Sequence, residues 1–132
     1  MTRQTIEAKR YNAAMPTDKP DLGAMFDLHV NCEFVDLDVE ATMRTMVPDP
    51  YVHNVPVLRG GYGRAGVYDF YTRFFVGKMP ADTRVVPISR TVGADSVVDE
   101  LILCFTHNIE IDYMLPGIPP TGKYVELPHV AS

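Results

Sequence analysis

The segment TRVVPISRTVGADSVVDELILCFTHNIEIDY, residues 83–113, constrains the fold more than any other stretch of this chain. Two apolar, β-branched runs flank GADS, the pattern of a long hairpin with a four-residue connection. Successive side chains of a strand alternate faces. Leu101, Leu103, Phe105, His107, Ile109 and Ile111 therefore point one way, and Glu100, Ile102, Cys104, Thr106, Asn108, Glu110 and Asp112 the other. A face so nearly apolar needs a covering layer, which the rest of the chain must supply.

The upstream half supplies it as helices. Leu22, Met25, Phe26, Val30 and Phe34 recur at helical spacing, predicting an amphipathic helix over 22–36 with His29 at the edge of its apolar sector. Asp38 is a good N-cap for a second helix that runs through Val39, Met43, Met46 and Val47 until Pro48 stops it. YVHNVPV, residues 51–57, reads as a short or edge strand, because Pro56 removes a ladder donor. RGGYG reads as a glycine-rich turn, followed by a helix over 64–76 with Val67, Phe70, Tyr71 and Phe74 on one stripe and Gly77 as its cap. KYVELPHVA, residues 123–131, is a last strand. The expected class is α+β, with three helices on one face of a mainly antiparallel sheet. Residues 1–20 form a polar, flexible N-terminal arm, and 21–132 form the domain.

Composition excludes several functions. A formal net charge of −5, with no Lys/Arg cluster, argues against a nucleic-acid partner. No signal-peptide pattern and no run of roughly 18 apolar residues is present, so no membrane partner is expected and the cytoplasm is the expected location. Cys32 and Cys104 sit in apolar patterns without CxxC spacing and read as buried free thiols. The four histidines are widely spaced, with no metal-binding motif, so neither a metal nor another cofactor is expected. RGGYGRAG lacks the Lys-Ser/Thr of a phosphate-binding loop.

The chemistry-bearing residue is His107, an imidazole on the apolar side of the hairpin, just before the proline-rich loop MLPGIPPTG. A neutral imidazole in such a place can accept or relay a proton, an effect typically worth about 10²- to 10⁴-fold in rate. Asp112 has the opposite parity and could orient it only across a β-bulge. Candidate ligand-binding neighbours are Phe26, Tyr51, His53, Tyr68, Tyr71, Phe105, Met114 and His129, with Met114, Leu115 and Ile118 as a lid. Tyr51, Tyr68 and Tyr71 are candidate hydroxyl donors to an oxyanion. For His53 and His129, core packing is the better reading.

DLDVEATMRTMVPDPYVHNVPVLRGGYG and SRTVGADSVVDELILCFTHNIEIDYMLPGIPPTGKYVELP together resemble the SnoaL-like group of the nuclear transport factor 2-like superfamily, over about residues 22–130. That resemblance implies a cone in which three helices and a curved sheet enclose a pocket, commonly in a homodimer. Its members include polyketide cyclases, ketosteroid isomerases, dehydratases and non-catalytic binding domains. The implied function is a cofactor-free cyclase or isomerase acting on a small hydrophobic carbonyl compound, or else a ligand-binding or dimerisation module. The acidic catalyst of the cyclases usually comes from a later strand, and similar proteins continue with one more long strand past the equivalent of Ser132. Strand 123–131 is therefore expected to present a free edge that a partner subunit could cover.

Overall fold

In a computed structural model, the protein is described over residues 19–132. The expected arm lies outside the described residues apart from Lys19 and Pro20. Helix α1 spans Leu22–Phe34 and begins where the Asp21 carboxylate accepts the Ala24 N–H at 3.0 Å. Helix α2, Val39–Arg44, begins in the same way, with Asp38 accepting from Ala41 at 2.9 Å. It ends short of Pro48. The Thr45 hydroxyl donates to the Thr42 carbonyl at 2.6 Å while the backbone tightens, Thr45 N–H bonding Thr42 O and Met46 N–H bonding Met43 O.

The expected turn at RGGYG is instead a strand. Strand β1, Tyr51–Asn54, pairs antiparallel with β2, Arg59–Tyr62, matching Tyr51 to Tyr62 and His53 to Gly60. The reversal comes earlier, in a single 3₁₀ turn over Val55–Val57, because Pro56 has no N–H with which to extend a ladder. Helix α3, Gly63–Phe70, then widens into a π-helical turn over Tyr71–Phe75. Gly77 follows with φ of 70°, the left-handed conformation expected of a helix-ending glycine.

The main sheet is β3 (Arg84–Val92), β4 (Val97–Thr106) and β5 (Tyr124–Ala131), antiparallel in that order with β4 central. The GADS connection is as expected, and a bulge at Ile88 offsets Pro87 from Ser89. Strand β4 stops at Thr106, well short of Tyr113. There the Asp82 carboxylate takes the Thr106 N–H at 3.0 Å and its hydroxyl at 2.6 Å, ending the ladder to β3.

The core lies between β4 and the helices: Leu103 and Phe105 meet Met43 of α2 and Val67 and Phe70 of α3. Ile111, Tyr113 and Met114, from the segment after β4, complete it. Cys32 and Cys104 are buried free thiols. No described helix is long and apolar enough to cross a membrane.

Candidate functional site

Strand parity carries His107 inward as the sequence predicts: Leu103, Phe105 and His107 are all buried, His107 at 2% exposure. Ile109 departs from that pattern and is exposed, because the chain has left the strand by then. Asn108, Glu110 and Asp112 are also exposed, so Asp112 does not orient the imidazole.

Two backbone bonds pin His107 to the end of the proline-rich loop. Its N–H donates to Lys123 O at 2.9 Å, and its carbonyl accepts the Gly122 N–H at 2.8 Å. The side chain is held by one nitrogen, Nδ1, 3.1 Å from the Thr121 hydroxyl. Nε2 is buried and has no hydrogen-bond partner among the described residues. An unpaired buried polar group costs about 1–3 kcal/mol, so this nitrogen is an open valence aimed into the protein.

His29 is the opposite case. Thr45 Oγ1, its proton committed to Thr42, lies 2.6 Å from Nδ1 and must accept there, so Nδ1 carries a hydrogen. Nε2 lies 2.9 Å from Glu33 Oε1, which also accepts the Tyr71 hydroxyl at 2.5 Å. The Tyr71 hydroxyl oxygen also lies 3.3 Å from the same Nε2. Glu33 and Tyr71 are 7% and 3% exposed, and the network ties α1 to the end of α2 and to the π-helical turn. Burial, and then the adjacent Glu33, push the Tyr71 phenol far above its usual range, and the same causes raise Tyr113. Both phenols stay neutral donors.

This network was not anticipated as a unit. The apolar stripe expected on α1 includes Met25, yet the helix buries Gly23, Cys32 and Glu33 and leaves Met25 exposed. The available signal was His29 and Glu33 at i,i+4 opposite a tyrosine-bearing helix stripe.

The predicted ligand-binding residues divide. Tyr71, Phe105 and Met114 are buried in the core, and Phe26 is half-buried and stacked on His29 with ring centroids 6.3 Å apart. Tyr51, His53 and Tyr68 do not join them. Tyr51 is 72% exposed, and His53 is exposed with Nδ1 3.3 Å from the Tyr62 hydroxyl, because the β1–β2 pairing turns that face outward. Tyr68 lies off the apolar stripe of α3 and lines an external cleft of about 480 Å³ with Glu40, Met43 and Arg64. A second cleft of about 340 Å³ lies between α1 and the start of β3. His107 lines neither. Of the expected lid, Met114 is core, Leu115 is half-buried and Ile118 is exposed.

His129 is half-buried on the same face of β5 as Val125 and Leu127, and burial lowers its pKa below the usual 6.5. The folded state therefore resists protonation. Stability from this group is present above about pH 6.5 and is lost as pH falls through the lower folded value. Urea midpoints measured from pH 7 to pH 5 should fall less in His129→Gln than in the unsubstituted protein; equal slopes would remove His129 from the acid response.

No group of three or more His, Cys, Asp or Glu side chains among the described residues is arranged to hold a metal ion. Comparison with known proteins yields no matching family model and no matching curated protein. Among solved structures, the chain is similar to a protein from Jannaschia sp. CCS1, provisionally assigned as a SnoaL-like polyketide cyclase. Identity is 20% with a TM-score of 0.51, covering 87% of this chain and 79% of that one. Likeness at this identity is likeness of fold: the chain has the α+β, NTF2-like cone of SnoaL-like proteins.

Proposed function

We propose that this chain is a cofactor-independent acid–base domain of the SnoaL-like kind that holds a small hydrophobic carbonyl compound against His107. The observation carrying this reading is the bare, buried Nε2 of His107. Of the four histidines it alone combines full burial with one nitrogen anchored and the other free, since both nitrogens of His29 are engaged, His53 is exposed and His129 is half-buried. A guest that hydrogen-bonds Nε2 removes the cost of the unpaired nitrogen. Proton exchange at Nε2 during enolisation or ring closure would be cyclase or isomerase chemistry.

A non-catalytic binding role is favoured by one observation, that His107 lines neither of the two external clefts described above. Assembly as a homodimer fits the same reading, since β5 stands at an edge of the sheet and Tyr124 and Val130 are exposed on it.

The test is thermal unfolding with a panel of enolisable ketones and lactones, followed by mass spectrometry of each hit. A ligand at 100 times its Kd stabilises the protein by about 2.7 kcal/mol. This shift should be lost in His107→Ala and reduced in His107→Gln. Altered hits show an enzyme, and unaltered hits show a binding module. Shifts and turnover unchanged in both variants would remove His107 from the function. Light scattering on the same samples should give twice the monomer mass, and a monomer at high concentration would end the dimer proposal.

A further inference from the structure

The open nitrogen of His107 has a definite polarity, and the loop that follows it sets that polarity. Thr121 Oγ1 lies 3.1 Å from Nδ1 and also accepts the Lys123 N–H at 3.3 Å, a local turn in which the hydroxyl oxygen already serves as an acceptor. Its own proton has no other acceptor among the described residues. If Nδ1 carried the hydrogen, both lone pairs of Oγ1 would be taken by N–H groups and the hydroxyl proton would turn to solvent. If the hydroxyl donates to Nδ1, the Thr121 proton is used within the protein, its oxygen keeps the Lys123 N–H, and the hydrogen on Nε2 is the one group left for a guest. The backbone bonds from Gly122 to His107 and from His107 to Lys123 hold Thr121 where it can do this.

We infer that Thr121 is a positioning residue that fixes His107 as the tautomer with hydrogen on Nε2, so that the buried site presents a hydrogen-bond donor and selects ligands bearing a carbonyl or oxyanion oxygen. This rests on the reading of His107 as a ligand-facing group and sharpens it. The imidazole holds and polarises the guest's oxygen through Nε2–H, and in this tautomer Nε2 does not begin as a proton acceptor. Developing negative charge on that oxygen strengthens the bond, which is the requirement for stabilising an enolate. Thr121 sits on the loop containing Pro119 and Pro120 and is itself exposed, so its hydroxyl can be removed without opening the core.

Long-range proton–nitrogen correlation of the imidazole ring identifies the tautomer directly. The expected result is hydrogen on Nε2 in the unsubstituted protein and in Thr121→Ser, and a mixed or inverted tautomer in Thr121→Val. Hydrogen on Nδ1 in the unsubstituted protein, or no change in Thr121→Val, would overturn the inference. Two five-membered probes test the polarity: cyclopentanone, an acceptor with no donor, should perturb His107 Nε2, and pyrrole, a donor with no carbonyl, should not. Thr121→Val should weaken cyclopentanone about 2- to 10-fold, the range of one hydrogen bond, with recovery in Thr121→Ser. Preferential binding of pyrrole at Nε2 would overturn the polarity. Failure of both probes to reach Nε2 would count against the proposed function, while the ring spectrum would still decide the tautomer.

Discussion

Glu33→Ala is expected to destabilise the protein by about 3 kcal/mol, the upper end for stripping the partner from a buried hydrogen-bonding group. The carboxylate is 7% exposed, and its Oε1 satisfies both the Tyr71 hydroxyl and the His29 ring. Deleting it leaves a phenol, itself 3% exposed, with only His29 Nε2 at 3.3 Å in place of its short bond to the carboxylate. The damage extends beyond one bond, because His29 also holds Thr45 at the end of α2 and stacks on Phe26. Losing Glu33 therefore loosens three helical segments together. Denaturant unfolding at pH 7 measures the effect, and Glu40→Ala, on the exposed side of α2, should stay within about 0.5 kcal/mol. Tyr71→Phe supplies the second arm of a double-mutant cycle, where a coupling of about 0.5–3 kcal/mol is expected for directly bonded partners. A loss under about 1 kcal/mol for Glu33→Ala, or additive behaviour with Tyr71→Phe, would mean that the network does not support the fold.

Fully paired groups of this kind have a structural role, whereas the unpaired Nε2 of His107 is what the proposed function rests on. That distinction was only partly legible from sequence. Parity along β4 placed His107 inside because side-chain direction in a strand is fixed by the backbone, so one apolar face determines which residues go in. Both N-caps, at Asp21 and Asp38, have local hydrogen bonds, and the Asp38 cap could be read directly. Rotation of α1 could not. Its apolar stripe predicted Met25 inside, but Glu33 is buried because partners far along the chain satisfy it, Tyr71 being 38 residues away. Thr121 is likewise 14 residues from His107, across a loop whose path is set by the backbone bonds at Gly122 and Lys123. Charge and polarity bias a residue outward only until tertiary structure offers a partner.

RGGYG was misread for a related reason. Glycine signals a turn because it tolerates unusual dihedrals, but it also permits two backbones to approach where no Cβ would fit. At Gly61 the second reason applies: a Cβ there would stand 2.2 Å from the Gly66 carbonyl oxygen and 2.8 Å from Val67 N. These are backbone atoms of α3, so no side-chain rotation relieves the overlap. Gly61→Ala must push α3 away from β2, and α3 carries Val67 and Phe70, both in the core. The expected cost is about 3 kcal/mol, at the upper end for overpacking. Gly66→Ala provides the discriminating control. Its Cβ would meet Gly61 at 3.7 Å, an ordinary contact, and alanine favours the helix by roughly 0.5–1 kcal/mol. Two substitutions of identical chemistry across one contact should therefore have opposite signs in denaturant unfolding. If Gly61→Ala proves as harmless as Gly66→Ala, then β2 and α3 are not in direct backbone contact, and the β1–β2 hairpin does not position the helix that covers β4.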